Sequence, residues 1–366
     1  MRVILAGYNV DTEVLEDLKK TSRPRQDVTP ETISASYARI SRDPRSVDEL
    51  RKVAREEVEK ARQSNSSIIF KMGHHSIAEH AVFNFDIIGV SRLALEEIEK
   101  FRLCAYTEKS QRYQKLEDDF VIPDEIKGSE LEKDFVGTIQ KQNQFYHELI
   151  AKGIEPEDAR YVTSLATEGQ LGQTINARNL EFLFRRFASH PFSEVRKLGQ
   201  EMFKLVEPIA PSIILFTGAN DFDQKTYSEL KKALEGKRQK AKKAKEVTLE
   251  TCTKNADDIL IASLIHTSSN LSFKKCLKQV KGMKDEEKGE IIKTCFKYAE
   301  FYDRSPREFE YVDLTYNLVI SAACFGQLKR HRMASITCQD YDPGLGVTIP
   351  GSIRKAGEEK KFNRIV

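Results

Sequence analysis

The sequence predicts an α+β fold laid down twice along one chain, with the second copy incomplete. Three observations lead there. The 366 residues suffice for two domains or one domain repeated, and 40% hydrophobic against 31% charged residues can bury a core. Residues 81–90 and 311–320 both alternate apolar with polar side chains, the period of a half-exposed strand. Each of these strands follows a glutamate (Glu79, Glu310) and leads through a helix to an arginine (Arg102, Arg332) and then a threonine (Thr107, Thr337). Glu97 and Gln327 stand one turn upstream of the two arginines. A shared order of acid, strand, helix, arginine and threonine reads as a duplication.

Along the chain, residues 3–6 predict a short buried strand that turns at Gly7. Thr29-Pro30 is a helix-start signal, with proline at the first helical position. Residues 47–61 repeat apolar and charged side chains at helical spacing. In 81–90 the apolar Phe83, Phe85 and Ile87 share one face, and Ser91 caps the helix that carries Leu95 and Ile98. That helix runs into a loop over 101–113. Helices are predicted over 131–152, 156–167 and 177–187, and from 193 through the region of Val206. In the second half, 325–329 is helical and leads into Arg330-His331-Arg332.

The run KKALEGKRQKAKKAK at 231–245 reads either as a polyanion-binding arm or as a solvated linker flanked by acids. It marks the expected division: a first lobe over 1–222, a basic linker over 223–250, and a partial second lobe over 251–366.

Composition narrows the function classes. A formal net charge of +3 gives no global basic field for nucleic acid, so small anions would need local basic clusters. Six cysteines without a CxxC pair fit reduced thiols. The N-terminal run has no signal-peptide h-region, and no stretch approaches the roughly 18 apolar residues of a membrane span. A cytoplasmic protein, with no membrane partner, is expected. His74, His75 and His80 could be metal ligands or could line a bound group. Adjacent histidines on a turn without cysteines or HExxH spacing favour the second, so no metal is expected. His147 and His266 lie in helical patterns and are read as structural.

The most specific stretches are two loops. His74, Ser76, Glu79 and His80 precede the first strand, and Glu108, Ser110, Arg112 and Tyr113 follow its helix. This resembles the flavin-dependent thymidylate synthase (ThyX) family, whose HxSxxEH element precedes a strand and whose RHRxxSxNExSxRY motif follows it. The first copy departs from the motif at Lys100-Phe101-Arg102, Ala105 and Thr107. The second keeps Arg330-His331-Arg332 and Ser335 but carries Cys338-Gln339-Asp340-Tyr341-Asp342 where Glu-x-Ser-x-Arg is expected. Each copy has kept what the other lost. Further matches are Asp158-Ala159-Arg160, Asn176-Ala177-Arg178, and Arg185-Arg186 with His190 and Glu194; one alignment gap leaves Arg185 and Arg186 as alternatives.

The resemblance implies a ThyX-like fold, a central sheet flanked by helices, and the reductive methylation of dUMP to dTMP. FAD would be the cofactor, with NADPH and methylenetetrahydrofolate as co-substrates. It implies that Arg186 polarises the pyrimidine and that Ser110 acts with it. Glu108, Ser110, Gln111, Arg112, Arg160 and Arg186 would bind the nucleotide. His74, Ser76, His80, Arg102, Asn176, Arg178, His190, Arg330, His331 and Arg332 would line the flavin. Charge-assisted bonds from arginine and hydroxyl groups suit a phosphate. The family's tetrameric assembly implies a homo-oligomer, here a dimer of two-lobed chains forming a pseudo-tetramer. Beyond Pro350 only a short charged tail is expected, without the family's distal arginines. The chain is then a piece of a longer protein, or its second lobe serves as a flavin-binding partner. A same-fold flavoenzyme acting on another pyrimidine nucleotide, and a non-catalytic nucleotide or flavin scaffold, are the alternatives.

Overall fold

A computed structural model describes residues 1–20, 26–235 and 245–366. The chain forms two compact units, Met1–Gln239 with Ser321–Val366, and Lys240–Ile320.

The first unit opens with β1 (Arg2–Tyr8) and α1 (Thr12–Lys20), then α2 (Glu31–Arg39), α3 (Val47–Glu56) and α4 (Val58–Ser66). The helical run over 47–61 is thus two helices, parted at Glu57, whose φ of −124° leaves the helical region. Thr29 does assist the start of α2, its hydroxyl accepting from Glu31 N at 3.2 Å. Glu31 itself is fully buried. Its carboxylate takes Ser212 N, Ser212 Oγ and Arg62 Nε, each at 2.6 Å, which offsets the cost of burying a charge.

A 3₁₀ turn, His75–His80, leads to β2 (Val82–Ser91), α5 (Arg92–Glu99) and β3 (Cys104–Glu108). After α6 (Glu132–Ala151) and the single turn α7 (Pro156–Ala159) come β4 (Glu168–Asn176), α8 (Ala177–Ala188), α9 (Ser193–Val206) and α10 (Asp221–Ala233). The strands form an antiparallel sheet in the order β1-β2-β4-β3. Phe83, Phe85 and Ile87 all face the core, as their alternation predicts, packed with Leu95 and Ile98 of α5, Leu183 of α8 and Met202 of α9.

Two expectations fail in this region. The helix over 156–167 stops at Ala159, because Thr163 Oγ1 donates to Arg160 O at 2.8 Å and Thr167 Oγ1 to Ser164 O at 2.7 Å, side-chain bonds that compete with helix. The loop over 101–113 contains a strand, β3, held by its register with β4.

The second unit holds β5 (Val247–Cys252), α11 (Ala256–Thr267), α12 (Phe273–Val280), α13 (Asp285–Cys295) and β6 (Leu314–Leu318), with β5 and β6 antiparallel. Ile261, Ala262, Cys276 and Val280 form its small core, and Lys288 ties α13 to α11 through Asp258 at 2.7 Å.

The chain then rejoins the first unit as α14 (Ala322–Leu328), α15 (Gly351–Lys355) and α16 (Glu359–Ile365). The division at 222 and 250 therefore differs from the compact units. Residues 321–366 belong with the first unit because Lys329 and Arg330 pair with Glu99, and Ile353 and Phe362 bury against Phe145, Tyr146 and Leu149 of α6. The stretch after Pro350, expected as a charged tail, is two packed helices. The basic run begins in α10 and ends before β5; its middle, 236–244, lies outside the described residues. Among the described residues no helix is long and apolar enough to cross a membrane.

Candidate functional site

The register of the sheet sorts the candidate residues to its two ends. Glu108, at the end of β3, pairs with Leu171, and Lys109 N donates to Gln170 O at 2.9 Å. The loop beyond β3 folds on itself, Arg112 N donating to Ser110 Oγ at 3.2 Å and Gln114 N to Ser110 O at 3.0 Å. Here lies a cavity of about 260 Å³, lined by Arg92, Glu108, Ser110, Gln111, Arg160 and Glu168 among others.

Arg160, immediately after α7, lines the same cavity as the loop. It is 7% exposed, and its Nε donates to Glu157 O at 3.1 Å. No ion pair joins it to a carboxylate among the described residues. Burial first, then the adjacent Arg92 charge, pulls its guanidinium below the usual arginine range. A buried cation of this kind, facing a cavity, favours an anion.

Arg92, which no motif marks, is the other buried guanidinium. Nη1 donates to Gln111 Oε1 at 2.8 Å and so fixes the loop; Nη2 donates to Ala322 O at 3.1 Å. A hint lay in its place directly after the Ser91 cap, on the helix that also carries Glu96 and Glu99.

Other nucleotide candidates fall elsewhere. Arg112 does not line the cavity: its Nε lies 3.4 Å from Glu157 Oε2 and its guanidinium over the Tyr113 ring. Arg185 and Arg186, in the last turn of α8, share one carboxylate, Asp223 of α10, at 3.6 and 3.0 Å. Neither lines the cavity. Glu194 serves the frame, taking Ser91 N at 2.7 Å and Ser91 Oγ at 2.6 Å.

The flavin candidates gather at the opposite end of the sheet. Val82 pairs with Asn176 and Cys104 with Ile175, which brings His80, Asn176, Arg178 and Arg102 to that end. His80 meets the Tyr37 ring edge-on, at 4.7 Å between centroids. Asn176 is occupied in capping α8, accepting from Asn179 N at 3.0 Å, and Arg178 pairs with Glu79. His74 and Ser76 are exposed on the 3₁₀ turn. Arg102 Nε donates to Arg332 O at 2.8 Å; His331 and Arg332 are exposed, and neither Arg102 nor Arg332 is ion-paired among the described residues. Two guanidiniums without a carboxylate partner among the described residues fit a diphosphate-bearing group.

Two flavin candidates lie apart. His190 faces α5, its Nε2 3.4 Å from Glu97 Oε2, and Arg330 turns back to pair with Glu99 at 3.2 Å and with Glu108. Arg330 thereby joins the Arg330-His331-Arg332 segment to the end of β3. Phe101, where the motif has histidine, is a core residue packed edge-on against Phe182 and Phe187.

The family model described as thymidylate synthase complementing protein matches residues 25–212. The chain is 33% identical over 198 residues to the flavin-dependent thymidylate synthase of Geobacter sulfurreducens, covering 52% of this chain and 82% of that one. It is 31% identical over 209 residues to the enzyme of the same name from Clostridium tetani, with the same coverage. A solved UMP/dUMP methylase, PolB of Streptomyces cacaoi bound with 5-Br dUMP, aligns at 18% identity with a TM-score of 0.47, covering 58% of this chain and 92% of that one. A superposition of that quality adds nothing to the sequence match. The family match spans half the chain and takes in the 3₁₀ turn, the Ser110 loop and Arg160 alike: the chain belongs to the thymidylate synthase complementing protein family.

Proposed function

We propose that this chain is a flavin-dependent enzyme that methylates dUMP reductively at C5 of the uracil ring, using methylenetetrahydrofolate and NADPH. The observation that carries the proposal is the cavity between the Ser110 loop and Arg160, whose buried guanidinium has no ion-paired carboxylate among the described residues. A nucleotide phosphate supplies the missing charge. Ser110 Oγ accepts from Arg112 N, which leaves its O–H free to donate to a phosphate oxygen. Arg92 holds Gln111 in place beside it.

FAD would be held at the other end of the sheet by Arg102, Arg332, His331 and His80, with His74 and Ser76 on the adjoining turn. When bound it would supply the redox chemistry of the methyl transfer. The strand β3 separates the two groups of residues by four residue steps, about 14 Å at 3.4 Å per step. Arg186 lies outside the cavity of its own chain, so its proposed hydrogen bond to the pyrimidine would serve a nucleotide on a second copy. That arrangement supports a homo-oligomer, a dimer of duplicated chains. The duplication is supported by matching geometry: β1–β2 and β5–β6 are both antiparallel pairs followed by a serine-capped helix.

Tritium release from dUMP labelled at C5, with methylenetetrahydrofolate and NADPH, tests the reaction, and the visible spectrum of the purified protein tests the cofactor. Bound flavin without tritium release would move the reading to another pyrimidine nucleotide or carbon donor. No flavin, bound or taken up, would reduce it to a scaffold.

A further inference from the structure

Three contacts between residues 92–102 and residues 322–332 keep a constant spacing in sequence. Arg92 Nη2 donates to Ala322 O at 3.1 Å, Lys329 Nζ lies 2.6 Å from Glu99 Oε2, and Arg102 Nε donates to Arg332 O at 2.8 Å. Each pair is separated by 230 residues. This is also the offset that places the first copy of the duplicated motif on the second, Arg102 on Arg332 and Thr107 on Thr337. The two helices therefore run parallel and level, and equivalent positions meet. Within the helices the contacting residues are seven apart, two turns along one face, and the third pair, Arg102 and Arg332, lies just beyond both C-termini.

We infer that α5 and α14 form a recognition surface through which the two copies within one chain select each other and refuse self-pairing. The inference rests on the duplication in the proposed reading and not on the reaction. If α5 paired with another α5, Arg92 would face Arg92 and Glu99 would face Glu99. If α14 paired with another α14, Lys329 would face Lys329. Like charges at buried, level positions are repulsive and specify the partner.

In the mixed pair each group is complemented. Glu99 and Lys329 are both nearly fully buried and form an ion pair. Arg92 lies over Ala322 and Gly326, and a Cβ on Gly326 would come within 2.5 Å of Arg92 Nη2. Large and charged side chains lie on one helix, small side chains and a lysine on the other. Burial pushes the Glu99 carboxyl up, while Lys329 and Arg330 pull against it, so a second glutamate in place of Lys329 would set two buried acids against the half-exposed Arg330 alone. Arg330, next to Lys329, then reaches Glu108 and sets the second copy's motif on the first copy's loop.

The test is a charge exchange in the full chain: Glu99→Lys, Lys329→Glu and the double exchange, read by amide hydrogen exchange over residues 322–332. Each single reversal should speed exchange there by about tenfold or more, and the double exchange should return it to within about threefold of the parent. A double variant as fast as the worse single, or single variants indistinguishable from the parent, would overturn the inference. Should the reversals unfold the chain, Gly326→Val offers a second route. It should loosen α14 by crowding Arg92, and Arg92→Ala in the same chain should tighten it again; no relief would overturn the pairing. These readouts use neither nucleotide nor flavin, so an inactive enzyme leaves the inference standing, and its failure leaves the enzymatic reading untouched.

Discussion

The antiparallel pair of β1 and β2 and the antiparallel pair of β5 and β6 share a plan but differ in burial. In the first, Val3 faces Ile87 and Leu5 faces Phe85; in the second, Val247 faces Leu318 and Leu249 faces Tyr316. Both lead to a serine whose Oγ accepts from the third residue on, Ala94 N or Cys324 N, each at 3.1 Å. Yet Phe85 is 1% exposed and Tyr316 is 50% exposed. The first sheet is covered by α5, α8 and α9, and β4 pairs with the far edge of β2. Among the described residues β5 and β6 have no third strand. Alternation and capping are local, so both segments have them. Burial depends on elements contributed by distant parts of the chain, and there the two segments part.

The largest predicted effect measures this difference directly. Phe85→Ala should cost about 3–5 kcal/mol in urea unfolding, through lost transfer energy and an unfilled cavity. Tyr316→Ala should cost less than about 1 kcal/mol, as at other exposed positions. Equal losses would mean that the β6 face is covered in solution and would end the contrast.

The loops after the two capped helices offer the next comparison. Arg160→Ala should weaken dUMP binding by about 1.5–3 kcal/mol by calorimetry, the worth of a charge-assisted phosphate contact. Arg112→Ala should weaken it less, because Glu157 already holds that guanidinium. Asp342 stands 230 residues beyond Arg112, and its Oδ1 accepts from Gly344 N at 2.8 Å, closing a turn. Asp342→Ala should leave nucleotide affinity within about 0.5 kcal/mol of the parent. A comparable loss at Asp342 would put the second loop back in the site.

A smaller effect separates the two strands themselves. β2 carries one extra residue around Gly89, whose φ is +71°, where the register with β4 shifts. An added Cβ there would meet Met1 N at 3.3 Å as well as the left-handed backbone penalty. Gly89→Ala should lower stability by about 1–2 kcal/mol. A neutral result would show that the bulge relaxes without cost.

How far the sequence could be read obeys the same division between local and distant causes. The face of Phe83, Phe85 and Ile87 and the Ser91 cap were legible because neighbours in sequence decide them. β4 was not, since EGQLGQTIN lacks strand-favouring side chains at most positions and is made a strand by its partners β2 and β3. At the site, the motif located Ser110 and Arg160, which share the cavity. It could not show that Glu157 diverts Arg112, that Asp223 holds both Arg185 and Arg186, or that Arg92 lies beneath the loop. Those outcomes depend on carboxylates and helices brought in from elsewhere in the chain.

The smallest effect concerns pH, and it too separates the two segments, since at the same 230-residue offset Glu96 of α5 has Gly326 of α14 in its place. Glu96 is buried and accepts from Tyr341 Oη at 2.8 Å. Burial pushes its carboxyl above the usual glutamate range, against the pull of Lys329, the Tyr341 hydroxyl and Arg92. A carboxyl raised on folding binds its proton more tightly in the native state. Its contribution to stability is therefore full below the unfolded value, about 4.3, and is lost as pH rises through the raised folded value. Glu96→Gln keeps a neutral acceptor for Tyr341 and removes that loss. Relative to the parent, the variant should gain stability as pH rises from the unfolded value, about 4.3, measured as the shift in denaturant midpoint at each pH. Parallel curves for the two proteins over that range would show that Lys329 and Arg92 already offset the burial of Glu96.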